Sequence, residues 1–248
     1  MLGLHGIGYR YAGYAVPVLH DIDLVLADGE IVGVIGANEA GKSTLGLVAC
    51  GLAPGSIGGG LSGTLTIDGA NMAGRPLHEF STRVGIAFQN PATQLSGTSG
   101  SVFEEVALGP VNLGLPVAAT VARARAALEA LRIWDLAQRS PDRLSGGQTQ
   151  LVAIAAMLAL GPRHLVLDEP NAELDPEGRE LVSEALRGIA SSGTAVLIAE
   201  HDLDLLASIC TRLVAIDGGR ITFDLPITAA LRDPRLAELG VSRQEVPA

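Results

Sequence analysis

The chain has 248 residues, 48% of them hydrophobic, and carries 17 Lys and Arg against 27 Asp and Glu, for a formal charge of −10. That apolar share is ample for a buried core and excludes a disordered chain. The acidic balance repels nucleic acid and anionic lipid, so any phosphate must be captured locally and no nucleic-acid partner is expected.

In chain order, the start "MLGLHGIGYRY" has no basic segment followed by an apolar core, so no signal peptide is expected. The first β-type run is "EIVGVIG" (30–36), followed by a helical "GKSTLGLVACGL". "APGSIGGGLSG" reads as a flexible surface loop, and "GTLTIDG" as a short β segment. "RVGIAFQ" (83–89) is a second apolar strand. From about Asn90 to Leu160 the pattern is nearly all helical, through "SVFEEVALG", residues 117–134 and "GGQTQLVAIAAML". Strands return at "HLVLDE" (164–169) and "TAVLIAE" (194–200), separated by "PEGRELVSEALRGIA" with Leu181, Ala185, Leu186 and Ile189 at helical spacing. A helical "DLDLLASIC" and the β-type "RLVAIDGGRITFD" follow; Asp68-Gly69 and Asp217-Gly218-Gly219 are turn signals for hairpins at a sheet edge. Near-continuous apolar strands alternating with helices predict a parallel sheet covered on both faces. The longest apolar run, "LVAIAAMLAL" (151–160), is short of the roughly 20 residues that a spanning helix needs. Cys50 and Cys210 read as small buried hydrophobes in a reducing cytosol, and Trp134 as a core residue.

"GANEAGKST" (36–44) fits G-x-x-x-x-G-K-[ST] between a predicted strand and a predicted helix, the context a P-loop requires. Gly36, Asn38, Gly41, Lys42, Ser43 and Thr44 are the candidate nucleotide-binding residues. Backbone N–H groups would hold the phosphates, Lys42 would reach the β and γ positions, and Ser43 would ligate Mg²⁺. Glu39 inserts a carboxylate into this loop; because the amides do the binding, its side chain is expected to point away from the phosphates. "HLVLDEP" ends an apolar strand with Asp168, which would hold Mg²⁺, and Glu169, which would polarise the attacking water.

"LSGGQ" (144–148) lies directly before a helix. With the P-loop, Gln89 after "RVGIAF", "LVLDEP", "ELDP" and His201 in "AEHD", all in this order, the chain resembles an ABC transporter ATPase over nearly its whole length. The resemblance implies a fold class of α/β, a P-loop NTPase with a RecA-like, mainly parallel sheet core, an edge antiparallel β subdomain and an inserted α-helical subdomain. The expected division is 1–89 and 161–225 for the nucleotide-binding core with its β subdomain, 90–160 for the helical subdomain with the signature, and 226–248 for a C-terminal tail. It also implies roles. Tyr11 in "YRYAGY" would stack on adenine, with Tyr9 the weaker choice; Gln89 would sense Mg²⁺ and the γ-phosphate; Ser145, Gly147 and Gln148 would meet ATP held by the opposite subunit. Asp175 would lie in the loop crossing that interface, and His201 would contact the γ-phosphate. Catalysis, assigned to Glu169, His201, Lys42 and Gln89, therefore calls for two ATPase chains head to tail, identical or different. The sequence departs from its relatives at Thr149, Leu151, Asn171 and Glu173, none a catalytic position.

"FQNPATQLSGTSGSVFEEVALGPVNLGLP" and the tail "ALRDPRLAELGVSRQEVP" resemble energy-coupling-factor (ECF) ATPases, importers of vitamins and of cobalt or nickel ions. That resemblance implies ATP and Mg²⁺ as cofactors, a second ATPase subunit, an integral-membrane subunit, a substrate-binding membrane component, and a peripheral place on the cytoplasmic face of the cell membrane. Gln89 to Pro110 would report γ-phosphate occupancy to a surface groove between the two subdomains, with Val102, Val106 and Leu108 set among Glu104 and Glu105 to receive a basic coupling helix; a plain core helix is the alternative. Other readings are an ATPase of another ABC class, a mainly ATP-binding partner in a heterodimeric pair, or an SMC-like repair ATPase. The mainly ATP-binding reading needs a damaged Glu169, His201 or signature, and the SMC-like one a long coiled-coil insertion; neither is present.

Overall fold

The computed structural model describes residues 1–239. The strands are β1 (Leu2–Arg10), β2 (Leu19–Leu26), β3 (Ile31–Ile35), β4 (Gly60–Ile67), β5 (Ala70–Asn71), β6 (Val84–Ala87), β7 (His164–Asp168), β8 (Ala195–Ala199), β9 (Arg212–Asp217) and β10 (Arg220–Pro226). The helices are α1 (Lys42–Ala49), α2 (Leu52–Gly55), α3 (Leu77–Ser81), α4 (Val102–Asn112), α5 (Val117–Ala130), α6 (Gly146–Leu160), α7 (Pro176–Ser191), α8 (Leu203–Ile209), α9 (Ile227–Ala230) and α10 (Arg235–Glu238).

A six-stranded sheet runs β10-β9-β3-β8-β7-β6. Every pairing from β9 to β6 is parallel, and only the β9–β10 hairpin is antiparallel. All five residues of β3 and all five of β8 are buried, as expected of strands covered on both faces. A second, antiparallel sheet has the order β2-β1-β4-β5. The α/β class with a mainly parallel sheet and a separate antiparallel sheet is therefore as expected, and between β6 and β7 the described structure is helical, through α4, α5 and α6.

The apolar interior falls into two clusters. One joins α4–α8 to one face of the large sheet through residues such as Val106, Leu128, Ile154, Leu186 and Leu206. The other packs the antiparallel sheet and α1 against the opposite face through Leu4, Ile22, Leu45, Val48 and Ile67.

Several local expectations change. Strands β1 and β2 were not predicted: β2 alternates buried Leu19, Ile22, Leu24 and Leu26 with acidic Asp21 and Asp23, and β1 carries a register shift between His5 and Gly8 that breaks its period. The glycine-rich loop is shorter than expected, because Gly60 already opens β4. Trp134 is not core: it is 40% exposed, with the Arg125 guanidinium 5.0 Å from its ring centroid and Phe103 edge-on to it. Val102 and Val106 are fully buried, so α4 turns its apolar face inward rather than offering it to a partner. Glu105 is buried too, accepting from the Ser96 N–H and Ser96 hydroxyl at 2.6 Å each, which removes the "FEEVALG" groove. Cys50 and Cys210 are buried free thiols, pushed up by burial to about 11 and about 12. The last part of the tail, 240–248, lies outside the described residues.

Candidate active site

Strand β3 ends in a loop that only glycine can begin: a Cβ on Gly36 would meet the Ile216 carbonyl oxygen at 2.2 Å. Asn38 and Glu39 are exposed at the loop tip, Glu39 with a left-handed φ of 65°. Gly41, at φ 110°, precedes α1, and no side chain caps that helix, so its first amide groups are open to an anion. Lys42 folds back, with Nζ donating to the Gly36 and Ala37 carbonyls at 2.8 and 3.1 Å; it is only 7% exposed, and burial lowers its pKa against the pull of Glu169 and Asp168.

A cleft of about 480 Å³ opens over this loop, lined by Tyr11, Tyr14, Glu39, Lys42, Ser43 and Thr44 among others. The Tyr11 hydroxyl lies 3.0 Å from Thr44 Oγ1, and Tyr9 and Tyr14 flank its ring at centroid distances of 5.0 and 6.1 Å. Tyr9 itself is fully buried, which rules out a contact with a ligand in the cleft. Tyr14, 65% exposed, is a lining aromatic that the sequence reading missed; the "YAGY" spacing was its only signal.

Strand β7 delivers the acids. One carboxylate oxygen of Asp168 is buried with no hydrogen-bond partner, and burial raises its pKa, aided by Glu169 and opposed by the Ser43 hydroxyl and Lys42. An orphaned, buried carboxylate oxygen beside a P-loop serine and lysine fits a hard divalent cation such as Mg²⁺. Glu169 takes a left-handed φ of 48° and is held from two sides: Gln89 Nε2 donates to one carboxylate oxygen at 2.7 Å, and His201 Nε2 lies 2.8 Å from the other. Gln89 follows β6 and His201 follows β8, the two neighbours of β7, so the parallel order of the sheet creates this triad. Glu200, missed by the sequence reading although it adjoins His201, is buried; it accepts from the Asn171 and His201 N–H groups and ties the two strand ends together. Burial raises its pKa.

The signature lies elsewhere. Ser145 caps α6 in a reciprocal box: its hydroxyl accepts from the Gln148 N–H, and the Gln148 side chain accepts from the Ser145 N–H. None of Ser145, Gly147 and Gln148 lines the P-loop cleft. A separate cleft of about 420 Å³ runs along the start of α6 between Gln89, Asn90, Pro91, Gly146, Thr149, Ala172 and Glu173. Asp175 is exposed and caps α7, accepting from the Gly178 N–H at 2.8 Å. The fold thus brings Lys42, Gln89, Asp168, Glu169 and His201 together and leaves the start of α6 outside the P-loop cleft, beside a second cleft that Gln89 also lines.

Among the described residues no helix is long and apolar enough to cross a membrane. The family description "ABC transporter" matches residues 19–172. A putative ABC transporter ATP-binding protein of Pyrococcus abyssi is 38% identical over 90% of this chain and 80% of its own length. The energy-coupling factor transporter ATP-binding protein EcfA1 of Lactiplantibacillus plantarum is 40% identical over 87% of this chain and 75% of its own. The cbiO1 structure from Clostridium perfringens, described as part of the ABC transporter complex cbiONQ, superposes with a TM-score of 0.80 at 29% identity, covering 96% of this chain and 98% of that one. The chain belongs to the ABC transporter family of ATPases, and its relatives include energy-coupling factor ATP-binding subunits at 36–40% identity.

Proposed function

We propose that this chain is the ATP-hydrolysing subunit of an ECF-type importer, peripheral on the cytoplasmic face of the membrane, powering uptake of a vitamin or transition-metal ion through an integral-membrane partner. The observation that carries the catalytic part is Glu169 clamped between Gln89 and His201 next to the P-loop; the kinship with energy-coupling factor subunits supports the transport part.

In this reading the open amides of α1, with Gly36, Asn38, Gly41, Lys42 and Thr44, bind the ATP phosphates, and Tyr11 stacks on adenine. Ser43, Asp168 and Gln89 would hold Mg²⁺, which would supply neutralisation of phosphate charge. Glu169 orients and polarises the attacking water, and His201 keeps that carboxylate aimed while reaching toward the γ-phosphate. Ser145, Gly147 and Gln148 lie outside the P-loop cleft, which supports their acting on ATP bound by a second ATPase chain placed head to tail, with Asp175 near the crossing. The division into a core (1–89 and 161–225), a helical subdomain (90–160) and a tail (226–248) then assigns the two halves of one composite site to different subdomains.

The test is a pair of variants. Glu169→Gln should keep MgATP affinity and lose turnover, whereas Lys42→Ala should lose affinity itself. Equal loss of nucleotide binding in both would remove the assignment of roles.

A further inference from the structure

Strands β7 and β8 part just where the acids of the site begin, and one buried side chain still joins them. Their ladder ends at Asp168 opposite Ala199, with one more bond from the Glu169 N–H to the Ala199 carbonyl at 2.9 Å. The backbone then turns away at Glu169, whose φ is 48°. The next donors, the N–H groups of Asn171 and His201, are met by a side chain: Glu200 accepts from the first with one carboxylate oxygen at 3.2 Å and from the second with the other at 3.1 Å. Glu200 is 6% exposed, and its own N–H donates to the Val34 carbonyl on β3 at 3.2 Å, so the carboxylate starts from a fixed point.

These two donors lie on either side of the Glu169–His201 contact. Asn171 follows Glu169 by two residues, and His201 carries the imidazole whose Nε2 lies 2.8 Å from the Glu169 carboxylate. That imidazole side chain is 41% exposed, so packing does little to aim it; its direction follows from its own backbone and from the carboxylate it meets. A buried acid is a costly way to satisfy two amides, and among the described residues Glu200 has no cationic partner to offset the cost. What the carboxylate supplies, and a hydroxyl or an amide does not, is two acceptor oxygens at a fixed separation, each used here by a different strand end. An amide of the same size would turn an NH₂ group toward one donor. A shorter acid keeps the charge and loses about 1.5 Å of reach.

We propose that Glu200 is a positioning residue for hydrolysis: by bonding the Asn171 and His201 amides with its two oxygens, it fixes the His201 imidazole against the Glu169 carboxylate. The inference rests on the roles proposed above for Glu169 and His201. Glu200 does not line the cleft over the P-loop, so it acts on turnover and leaves nucleotide binding alone.

The experiment measures MgATP hydrolysis and binding in Glu200→Gln and Glu200→Asp, at a chain concentration where the rate per chain no longer rises. Both variants should lose at least about tenfold in kcat, with KM and the calorimetric Kd for MgATP within about twofold of the unaltered chain. Adding Glu200→Gln to His201→Ala separates positioning from a general weakening of the fold: the second change should cost less than about twofold beyond His201→Ala alone, because the group it positions is gone. Full activity in either single variant overturns the proposal, as does a loss of MgATP affinity in step with kcat, or a loss that multiplies with that of His201→Ala. In the unaltered chain the Asn171 and His201 amide hydrogens should be protected from exchange with solvent, and free exchange at either overturns the proposal without any substitution. His201→Ala by itself tests the reading underneath. If it hydrolyses ATP like the unaltered chain, the catalytic assignment falls; if it loses most hydrolysis and the Glu200 variants do not, only the present inference falls.

Discussion

In the proposed site helices α1 and α6 both turn an N-terminus toward nucleotide, and the two ends are finished in opposite ways. Helix α1 starts at a left-handed glycine with no side-chain cap, and Lys42 is pinned against the loop carbonyls, so its amides await an anion from outside. Helix α6 is already satisfied: Ser145 and Gln148 cap it reciprocally, and Glu173 sits against its first residue. A helix end left open binds phosphate alone. One that is self-capped gains from an incoming phosphate only if the new contacts exceed those it gives up, which is what a site completed by a second chain requires.

The largest expected effect breaks the α1 side. Lys42→Ala removes a buried charge beside the phosphate position and should weaken MgATP binding by at least about 100-fold, roughly 3 kcal/mol, measured by calorimetry. A comparable loss in Glu169→Gln would mean that the acid, and not the open helix end, is the main binding group.

Next comes the packing that holds α6 in place. Glu105, on α4, which packs on α6, is buried and accepts from the loop residue Ser96; Glu105→Lys should destabilise the fold by about 3–5 kcal/mol in urea. Its exposed neighbour Glu104, one residue earlier, should tolerate Lys within about 1 kcal/mol, the loss of a first-turn acid. Similar values for the two would mean that Glu105 is solvated after all.

Ser145→Ala sharpens the contrast between the helix ends. Loss of the cap should cost about 1 kcal/mol of stability and leave MgATP affinity of the dilute chain unchanged, while hydrolysis falls. A drop in affinity at high dilution would place the signature in the P-loop's own site. The smallest effect is at Glu39. Replacement by Gly removes a left-handed non-glycine residue, should stabilise the chain by about 0.5–1 kcal/mol, and should tighten ATP binding by less than about tenfold. A thermal melt with a nucleotide titration reads both.

Much of this was legible in the sequence because its signals are local. "GANEAGKST" between a strand and a helix, and "HLVLDEP" at a strand end, name their residues and their place at the sheet edge directly. The sheet strands β3, β6, β7 and β8 were legible for the same reason, being short apolar runs between helices. What escaped depends on tertiary contact. Strand β2 hides behind Asp21 and Asp23, whose low β propensity is overridden by pairing with β1. Glu105 looked like part of an acidic surface because a buried carboxylate is recognisable only through its partner, here Ser96, nine residues away in a loop. Trp134 looked like core from its residue type alone, whereas its partly exposed ring is covered by the Arg125 guanidinium on one face and meets Phe103 edge-on, contacts that local sequence does not reveal.

The difference between the two helix ends is tested most directly by following ATP binding and hydrolysis per chain on dilution. With α1 sufficient for binding and α6 acting only across a pair, MgATP affinity should stay constant while the hydrolysis rate per chain rises with total chain concentration. A hydrolysis rate per chain that stays constant down to concentrations where sedimentation finds only single chains would contradict the account.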